Sequence, residues 1–215
     1  MKIGIFGGSF NPIHFGHLIL AEHAADAAGL DKVILVPAFE SPFKSGTGGA
    51  GSFHNLTMTR IAAEGNDRFE VSSIEVDKQK MSYTVDTMRE LSEELAPETS
   101  LSFIMGGDSF LSLEKWKGVE ELLRCYPFII GIRPGFAGVD VENTANRLRK
   151  EYNADISIVP VPQADISSTD IRNRIGVGRS IHYLTPDGVI RYIEQHGLYS
   201  GNTAEDRGSV ETKHG

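Results

Sequence analysis

A glycine-rich turn near the N-terminus holds two histidines at a spacing suited to binding phosphate. It follows an apolar run and reads Gly7-Gly8-Ser9-Phe10-Asn11-Pro12-Ile13-His14-Phe15-Gly16-His17. Gly7 and Gly8 let the backbone approach a ligand and leave amide donors for phosphate oxygens. His14 and His17 are three residues apart at a predicted helix start, so both imidazoles can point the same way beside the positive end of the helix dipole. Together they predict an anion site, although each residue alone is better explained by turn geometry or packing.

A second stretch with the same chemistry lies far along the chain, at Ile166-Ser167-Ser168-Thr169-Asp170-Ile171-Arg172. Its three hydroxyls stand at a predicted helix start with Arg172 near the first turn, which makes another anion-binding helix N-terminus. Helix capping alone explains Ser167 and Ser168. It does not explain why Arg172 accompanies them.

Two other interpretations of the first turn fit less well. A metal site on His14 and His17 lacks a carboxylate or a third histidine at ligand spacing nearby. The dinucleotide fingerprint of dehydrogenases needs a glycine-x-glycine-x-x-glycine order, which residues 7–11 do not have. We therefore reject a dehydrogenase.

The composition restricts the partners of such a site. The 215 residues, 40% hydrophobic and 23% charged, suffice for one core and one domain. A formal net charge of -8 argues against long nucleic acids and anionic membranes as partners. The single cysteine, Cys125, cannot form an internal disulfide, and we expect it to be a small core residue. Since no long apolar stretch starts at Met1, we expect a cytoplasmic protein.

The elements that must position these residues alternate as in a parallel sheet covered by helices. Apolar, β-branched runs predict strands at residues 2–6, 33–37, 69–71, 101–105, 128–132 and 156–161. Helices are predicted at residues 18–28, closed by Gly29, and at residues 84–95, before Pro97. In such a sheet ligands bind beyond the carboxyl ends of the strands, where the first turn lies. The sequence thus predicts an α/β fold with a doubly wound parallel sheet.

We expect a single domain over residues 1–199, with a C-terminal helical segment at about 167–199. Residues 45–51 are rich in Gly, Ser and Thr, which predicts a loop that is either a substrate lid or a tolerated insertion. Residues 200–215 are polar and lack periodicity, which predicts a disordered tail.

The glycine-rich turn leading into His-x-Gly-His resembles the signature of the nucleotidyltransferase superfamily. Residues 166–172 are similar to that superfamily's Ile-Ser-Ser-Thr-x-Ile-Arg pattern. Class I aminoacyl-tRNA synthetases share the signature, but they are normally far longer, and this chain has no room for a tRNA-binding domain. The resemblance implies a Rossmann-like nucleotidyltransferase fold.

The resemblance also implies residue roles. It makes His14, His17 and Arg172 the candidate catalytic residues. The candidate ATP-binding residues are Gly7, Gly8, Ser9, Phe10, His14, His17, Ser167, Ser168, Thr169 and Arg172. Mg²⁺ would be held mainly by ATP phosphates and water, so no protein metal ligands are expected.

Three further stretches narrow the resemblance to the bacterial nicotinate-nucleotide adenylyltransferases. They are Ser82-Tyr83-Thr84-Val85-Asp86-Thr87-Met88, then Gly106-Gly107-Asp108 with Leu113 and Trp116, and finally Leu184-Thr185-Pro186 with Val189, Tyr192-Ile193 and His196-Gly197-Leu198-Tyr199. That family implies transfer of the adenylyl group of ATP to nicotinate mononucleotide, which gives nicotinic acid adenine dinucleotide and pyrophosphate in NAD biosynthesis.

The acceptor site that the family implies contains Lys44, Thr84, Asp108 and Trp116. Trp116 can stack on a pyridine ring, although a lone tryptophan is more often a packing residue. Thr84 either binds the nicotinate carboxylate or caps a helix, and Asp108 either holds sugar hydroxyls or completes a turn. Lys44 either pairs with a phosphate or is a solvated surface residue.

Two residues depart from the family pattern. Asn11 stands where many members have Asp, which keeps the hydrogen-bonding shape but removes a charge, and Phe43 stands where they have His. Two alternatives to the main function stay open: another phosphorylated acceptor, such as nicotinamide mononucleotide or phosphopantetheine, and an inactive nucleotide-binding regulator. The oligomeric state is also open, with a homodimer among the alternatives.

Overall fold

Six parallel strands form one sheet in the computed structural model, which describes residues 1–39, 50–133 and 138–200. The strands are β1 (Lys2–Gly8), β2 (Lys32–Pro37), β3 (Phe69–Val71), β4 (Ser100–Gly106), β5 (Phe128–Ile132) and β6 (Ile156–Pro160). Their order in the sheet is β3-β2-β1-β4-β5-β6, and every neighbouring pair is parallel. The winding direction reverses between β1 and β4, so the predicted doubly wound sheet is confirmed and its switch point lies between these strands.

Helices cover both faces of the sheet. Within the described ranges they are α1 (Phe15–Ala28), α2 (Ser52–Ala63), α3 (Ile74–Asp77), α4 (Thr84–Glu94), α5 (Gly107–Phe110), α6 (Val119–Cys125), α7 (Gly138–Tyr152), α8 (Ser168–Gly176) and α9 (Asp187–Gln195). A short 3₁₀ helix, Leu113–Lys115, follows α5. None of the helices in these ranges combines the length and the apolar character that membrane crossing requires.

Each face of the sheet has its own hydrophobic core. One core gathers side chains of α1, α2, α8 and α9, and the other gathers side chains of α4, α6 and α7. Because the central strands are buried on both faces, they read in the sequence as continuous apolar runs. The packing of α1 is especially close, since a Cβ added at Gly131 of β5 would collide with Leu20.

The ends of the elements differ from the prediction in a few places. Helix α1 begins at Phe15, three residues before the predicted start, because His14 serves as its N-cap. It ends as predicted at Gly29, whose φ of 59° is the left-handed cap that favours glycine. The expectation that Cys125 packs in a core is wrong: Leu122 and Leu123 are the buried residues of α6, and Cys125 is exposed.

Several predicted features lie partly or wholly outside the described residues. These are Phe43, Lys44, residues 45–49 of the predicted loop and residues 201–215 of the predicted tail. Gly51, at the end of that loop, is the N-cap of α2.

Candidate active site

A cleft of about 470 Å³ opens at the carboxyl ends of β1 and β4. Its volume falls in the range of about 300–1,000 Å³ that is usual for small-molecule sites. Of the candidate ATP-binding and acceptor-binding residues, those that line it are Gly7, Gly8, Ser9, His14, His17, Asp108, Ser167, Ser168 and Thr169. The cleft therefore unites the turn after β1, the start of α5 after β4, and the start of α8.

The two histidines of the turn lie against each other at the start of α1. Their ring centroids are 3.7 Å apart and the rings are tilted by 26°, so the prediction that both point the same way is confirmed. The backbone N–H of His14 donates to Nδ1 of His17 at 3.3 Å. Because a backbone N–H can only donate, Nδ1 of His17 is an acceptor, and the neutral ring carries its proton on Nε2. His17 is thus set up as a hydrogen-bond donor.

Phe10 supports this arrangement from behind. Its side chain is buried, and its ring meets the His17 ring edge to face with centroids 5.1 Å apart. A Cβ added at Gly8 would approach the Phe10 ring to 2.9 Å, so only a glycine lets the turn close over this ring. The Phe10 side chain is therefore part of the core, and any contact between Phe10 and a phosphate would come from its backbone.

The second predicted cluster reaches the first one directly. Arg172 donates through Nη1 to the carbonyl of Asn11 at 2.8 Å, and Ser168 donates through Oγ to the carbonyl of Pro12 at 2.9 Å. The start of α8 and the turn after β1 are therefore joined by hydrogen bonds. The N-termini of α1 and α8 both lie at the cleft, where the positive ends of the two helix dipoles favour an anion.

These bonds change what the hydroxyls of α8 can contribute. Ser167 caps α8 by accepting from the N–H of Asp170 at 3.1 Å, and Ser168 directs its single hydroxyl proton to Pro12. Arg172 has five N–H donors, of which one bonds Asn11 and another lies 3.4 Å from Oγ1 of Thr169. Arg172 does not itself line the cleft. In this arrangement the donors that α8 can offer to an anion are the N–H groups of Ser168 and Thr169 and the hydroxyl of Thr169.

Asn11 links the turn to the end of the described chain. Its Oδ1 accepts a hydrogen bond from the hydroxyl of Tyr199 at 2.6 Å and one from the N–H of Ala50 at 3.4 Å. Burial raises the pKa of Tyr199, and nearby Arg172 opposes that rise. Tyr199 therefore stays protonated and keeps donating. Asn11 thus has a structural task that does not depend on a carboxylate.

Arg133 is a cleft residue that the sequence analysis missed. It follows β5 directly, and its guanidinium lies 3.3 Å from the carboxylate of Asp108 and 3.6 Å from that of Asp165. All three residues line the cleft. The rule that ligands bind at the carboxyl ends of parallel strands could have identified Arg133, since it is the first residue beyond a strand.

The predicted acceptor residues Thr84 and Trp116 lie outside this cleft, in two segments that pack on each other. Thr84 opens α4, with Tyr83 as the N-cap, and Trp116 ends the 3₁₀ helix. Lys117 lies 4.2 Å from the centroid of the Tyr83 ring. The Trp116 ring meets Phe103 of β4 edge to face at 6.0 Å, so its packing role is real.

Comparison with known proteins identifies the family of this chain. A family model described as cytidylyltransferase-like matches residues 5–174, from within β1 to within α8. The fold and the two helix starts at one cleft thus define a nucleotidyltransferase. Two relatives are each called "probable nicotinate-nucleotide adenylyltransferase". The one from Thermoanaerobacter sp. (strain X514) is 43% identical over 93% of this chain and 94% of its own length. The one from Moorella thermoacetica is 42% identical over 92% of this chain and 91% of its own length. The chain belongs to the nicotinate-nucleotide adenylyltransferase family.

A solved structure supports the fold. Plasmodium falciparum nicotinic acid mononucleotide adenylyltransferase, in complex with NaAD, superimposes with a TM-score of 0.75 at 21% identity. The match covers 92% of this chain and 97% of the Plasmodium chain. The α/β arrangement is therefore shared along nearly the whole length of both proteins.

Proposed function

We propose that this chain transfers the adenylyl group of ATP to nicotinate mononucleotide, releasing pyrophosphate and forming nicotinic acid adenine dinucleotide, a precursor of NAD. The observation that carries the proposal is the meeting of two anion-binding helix starts at one cleft, joined by the bonds from Arg172 and Ser168 to the turn after β1. The names of the relatives support the choice of acceptor.

The chemistry needs positioning more than it needs a base. The phosphate of the acceptor is ionised at neutral pH, so its oxygen attacks the α-phosphorus of ATP without prior proton removal. A bond forms between that oxygen and the α-phosphorus, and the bond from the α-phosphorus to the bridging oxygen breaks. Pyrophosphate leaves with the bonding electrons. The protein must therefore stabilise charge on the transferring phosphoryl group and on the leaving group.

His14 and His17 are the residues we assign to the transferring group. They line the cleft, and the neutral His17 ring presents an Nε2–H donor. The N–H groups of Ser168 and Thr169 at the start of α8, with the hydroxyl of Thr169, are assigned to the phosphates of the leaving pyrophosphate. Arg172 is assigned a supporting position, since it bonds Asn11 and lies next to Thr169.

Mg²⁺ completes the proposal as a partner of ATP. Within the described residues no group of three or more His, Cys, Asp or Glu side chains converges. We assign the ion to the triphosphate, where phosphate oxygens and water would be its main ligands. When bound, the ion would neutralise charge on the triphosphate. Asp108, predicted to hold sugar hydroxyls, lines the same cleft beside Arg133.

The acceptor side rests on Thr84 and Trp116, which the packing of Lys117 on Tyr83 holds in adjoining segments. Lys44 keeps its predicted role at the acceptor phosphate. The location of the reaction in the cytoplasm is part of the proposal as well, since a single cysteine fits a reducing compartment.

The decisive experiment is a coupled assay of pyrophosphate release with ATP and Mg²⁺. Nicotinate mononucleotide, nicotinamide mononucleotide and phosphopantetheine are offered in turn at equal concentration. We expect the highest kcat/KM with nicotinate mononucleotide. A clear preference for another acceptor would replace the proposed substrate, and no release with any acceptor would favour the inactive regulator.

A further inference from the structure

Thr185 carries a buried hydroxyl that the proposed reaction does not use. The side chain is fully buried, and its hydroxyl donates to the carbonyl of Ile13 at 2.7 Å, across 172 positions of sequence. Capping of the following helix does not explain it, because the N-cap of α9 is Pro186. The hydroxyl therefore serves the turn after β1.

The neighbouring backbone makes a second bond to the same turn. The N–H of Phe15 donates to the carbonyl of Leu184 at 3.0 Å. The two bonds lie on either side of His14, because one holds the peptide group before it and the other holds the peptide group after it. Peptide groups are planar, so fixing both of them restricts φ and ψ of His14.

The backbone of His14 in turn sets the direction of both imidazoles. His14 is the N-cap of α1, with φ of -150° and ψ of 169°, and its N–H donates to Nδ1 of His17. The two rings are stacked. A rotation of the peptide group between Ile13 and His14 would therefore move the N–H that orients His17, as well as the His14 ring.

We propose that Thr185 is a positioning residue for adenylyl transfer, whose hydroxyl fixes the peptide before His14 and so aims the His14–His17 pair at the triphosphate. The inference rests on the proposed function. It gives a role to the Leu184-Thr185-Pro186 stretch, none of whose residues is among the proposed catalytic or substrate-binding residues.

The test uses Thr185→Val, which keeps the shape of the side chain and removes the hydroxyl. Thr59→Val is a matched control, since Thr59 is also fully buried and donates to a backbone carbonyl, that of Asn55, at 2.7 Å. Thr59 lies in α2 and makes no bond to the turn. Thr185→Ser restores the donor.

We expect kcat of Thr185→Val to fall about 10- to 100-fold, because misplaced catalytic groups slow the chemical step. The KM for nicotinate mononucleotide should stay unchanged. Thr185→Ser should recover most of kcat, and Thr59→Val should keep it. NMR gives a second measure that does not need turnover: the imidazole signals of His14 and His17 should shift in Thr185→Val and not in Thr59→Val. If Thr185→Val does not fold, Thr185→Cys replaces it, with kcat expected below that of Thr185→Ser.

Wild-type kcat in Thr185→Val, an equal loss in Thr59→Val, or no recovery in Thr185→Ser would each overturn the inference. Failure of the proposed function looks different, because the wild-type protein would then release no pyrophosphate with nicotinate mononucleotide. In that case the NMR comparison alone decides whether Thr185 orients the histidines. Unmoved imidazole signals would refute it.

Discussion

Two regions of the proposed site differ in the sequence separation of the contacts that stabilise them. One is the cleft beyond β1 and β4, the proposed ATP site, and the other is the proposed acceptor side around Thr84 and Trp116. At the cleft, Ser168 bonds Pro12 and Tyr199 bonds Asn11, across 156 and 188 positions. On the acceptor side, Lys117 lies 3.5 Å from Asp86 of α4, across 31 positions. The cleft is thus held by bonds between distant parts of the sequence, whereas the contacts of the proposed acceptor side join α4, the segment after the 3₁₀ helix and Phe103 of β4, which are close in sequence. We therefore expect substitutions on the proposed acceptor side to change selectivity while leaving ATP binding intact.

The sharpest way to break this comparison is to remove the donor of His17. Asn places an acceptor near the position of Nδ1, so His17→Asn keeps the bond from the His14 N–H and loses the Nε2 donor. We expect kcat to fall about 100- to 1,000-fold, as loss of one preorganised donor to the transition state does. The measurement is pyrophosphate release under saturating substrates.

His17→Gln is the matched variant, since its amide can donate near the position of Nε2. It should retain more activity than His17→Asn, and circular dichroism should show both variants folded. Near-normal turnover in His17→Asn would contradict the assignment of His17 to the transferring group.

A smaller effect is expected at Trp116. Stacking of a ring on an aromatic side chain contributes about 1–3 kcal/mol, so Trp116→Leu should raise the KM for nicotinate mononucleotide about tenfold. Steady-state kinetics should show an unchanged KM for ATP. Equal increases in both KM values would mean that Trp116 only packs on Phe103, and that the two sides of the site are not independent.

The smallest effect concerns stability on the acceptor side. Burial raises the pKa of Glu75 above its usual value near 4.5, and the hydroxyl of Thr87, which donates to Glu75 at 2.7 Å, opposes that rise together with Lys78. Glu90 adds to the rise. The folded state therefore holds this proton more tightly than the unfolded state does. The protonated Glu75 carboxyl contributes its full stabilisation at pH values below the pKa of the unfolded state. That stabilisation is lost as the pH rises through the raised pKa of the folded state.

Glu75→Gln should accordingly raise the free energy of unfolding at pH 7, with a gain that shrinks as the pH falls toward 4.5. Urea unfolding at several pH values measures it, and exposed Glu93→Gln is the control. A gain that is the same at every pH would show that the carboxyl of Glu75 is not the source. The KM for ATP should stay unchanged.

Much of the fold follows from local sequence. Strands β3 and β5 match their predicted limits, residues 69–71 and 128–132, because each apolar run is bounded by polar or turn residues. The early start of α1 was missed, since His14 is not among the residues that usually mark an N-cap. The continuation of β1 through Gly8 was also missed, because it comes from pairing with Pro37 of β2.

The site divides in the same way. The two anion-binding segments are contiguous in sequence, so their residue types and spacing sufficed to find them. The tasks of Thr185 and Tyr199 arise from bonds across 172 and 188 positions, which no local pattern encodes. Arg133 could have been found from its place after β5, but its pairing with Asp108 could not.

The bonds to the turn after β1 also have a consequence for biosynthesis. His14 and His17 are synthesised before the side chains that bond to their turn. The carbonyls of Asn11, Pro12 and Ile13 accept hydrogen bonds from Arg172, Ser168 and Thr185, respectively. A nascent chain released before α8 cannot form these bonds. The turn after β1 can therefore take its final form only after the chain has been synthesised through Thr185.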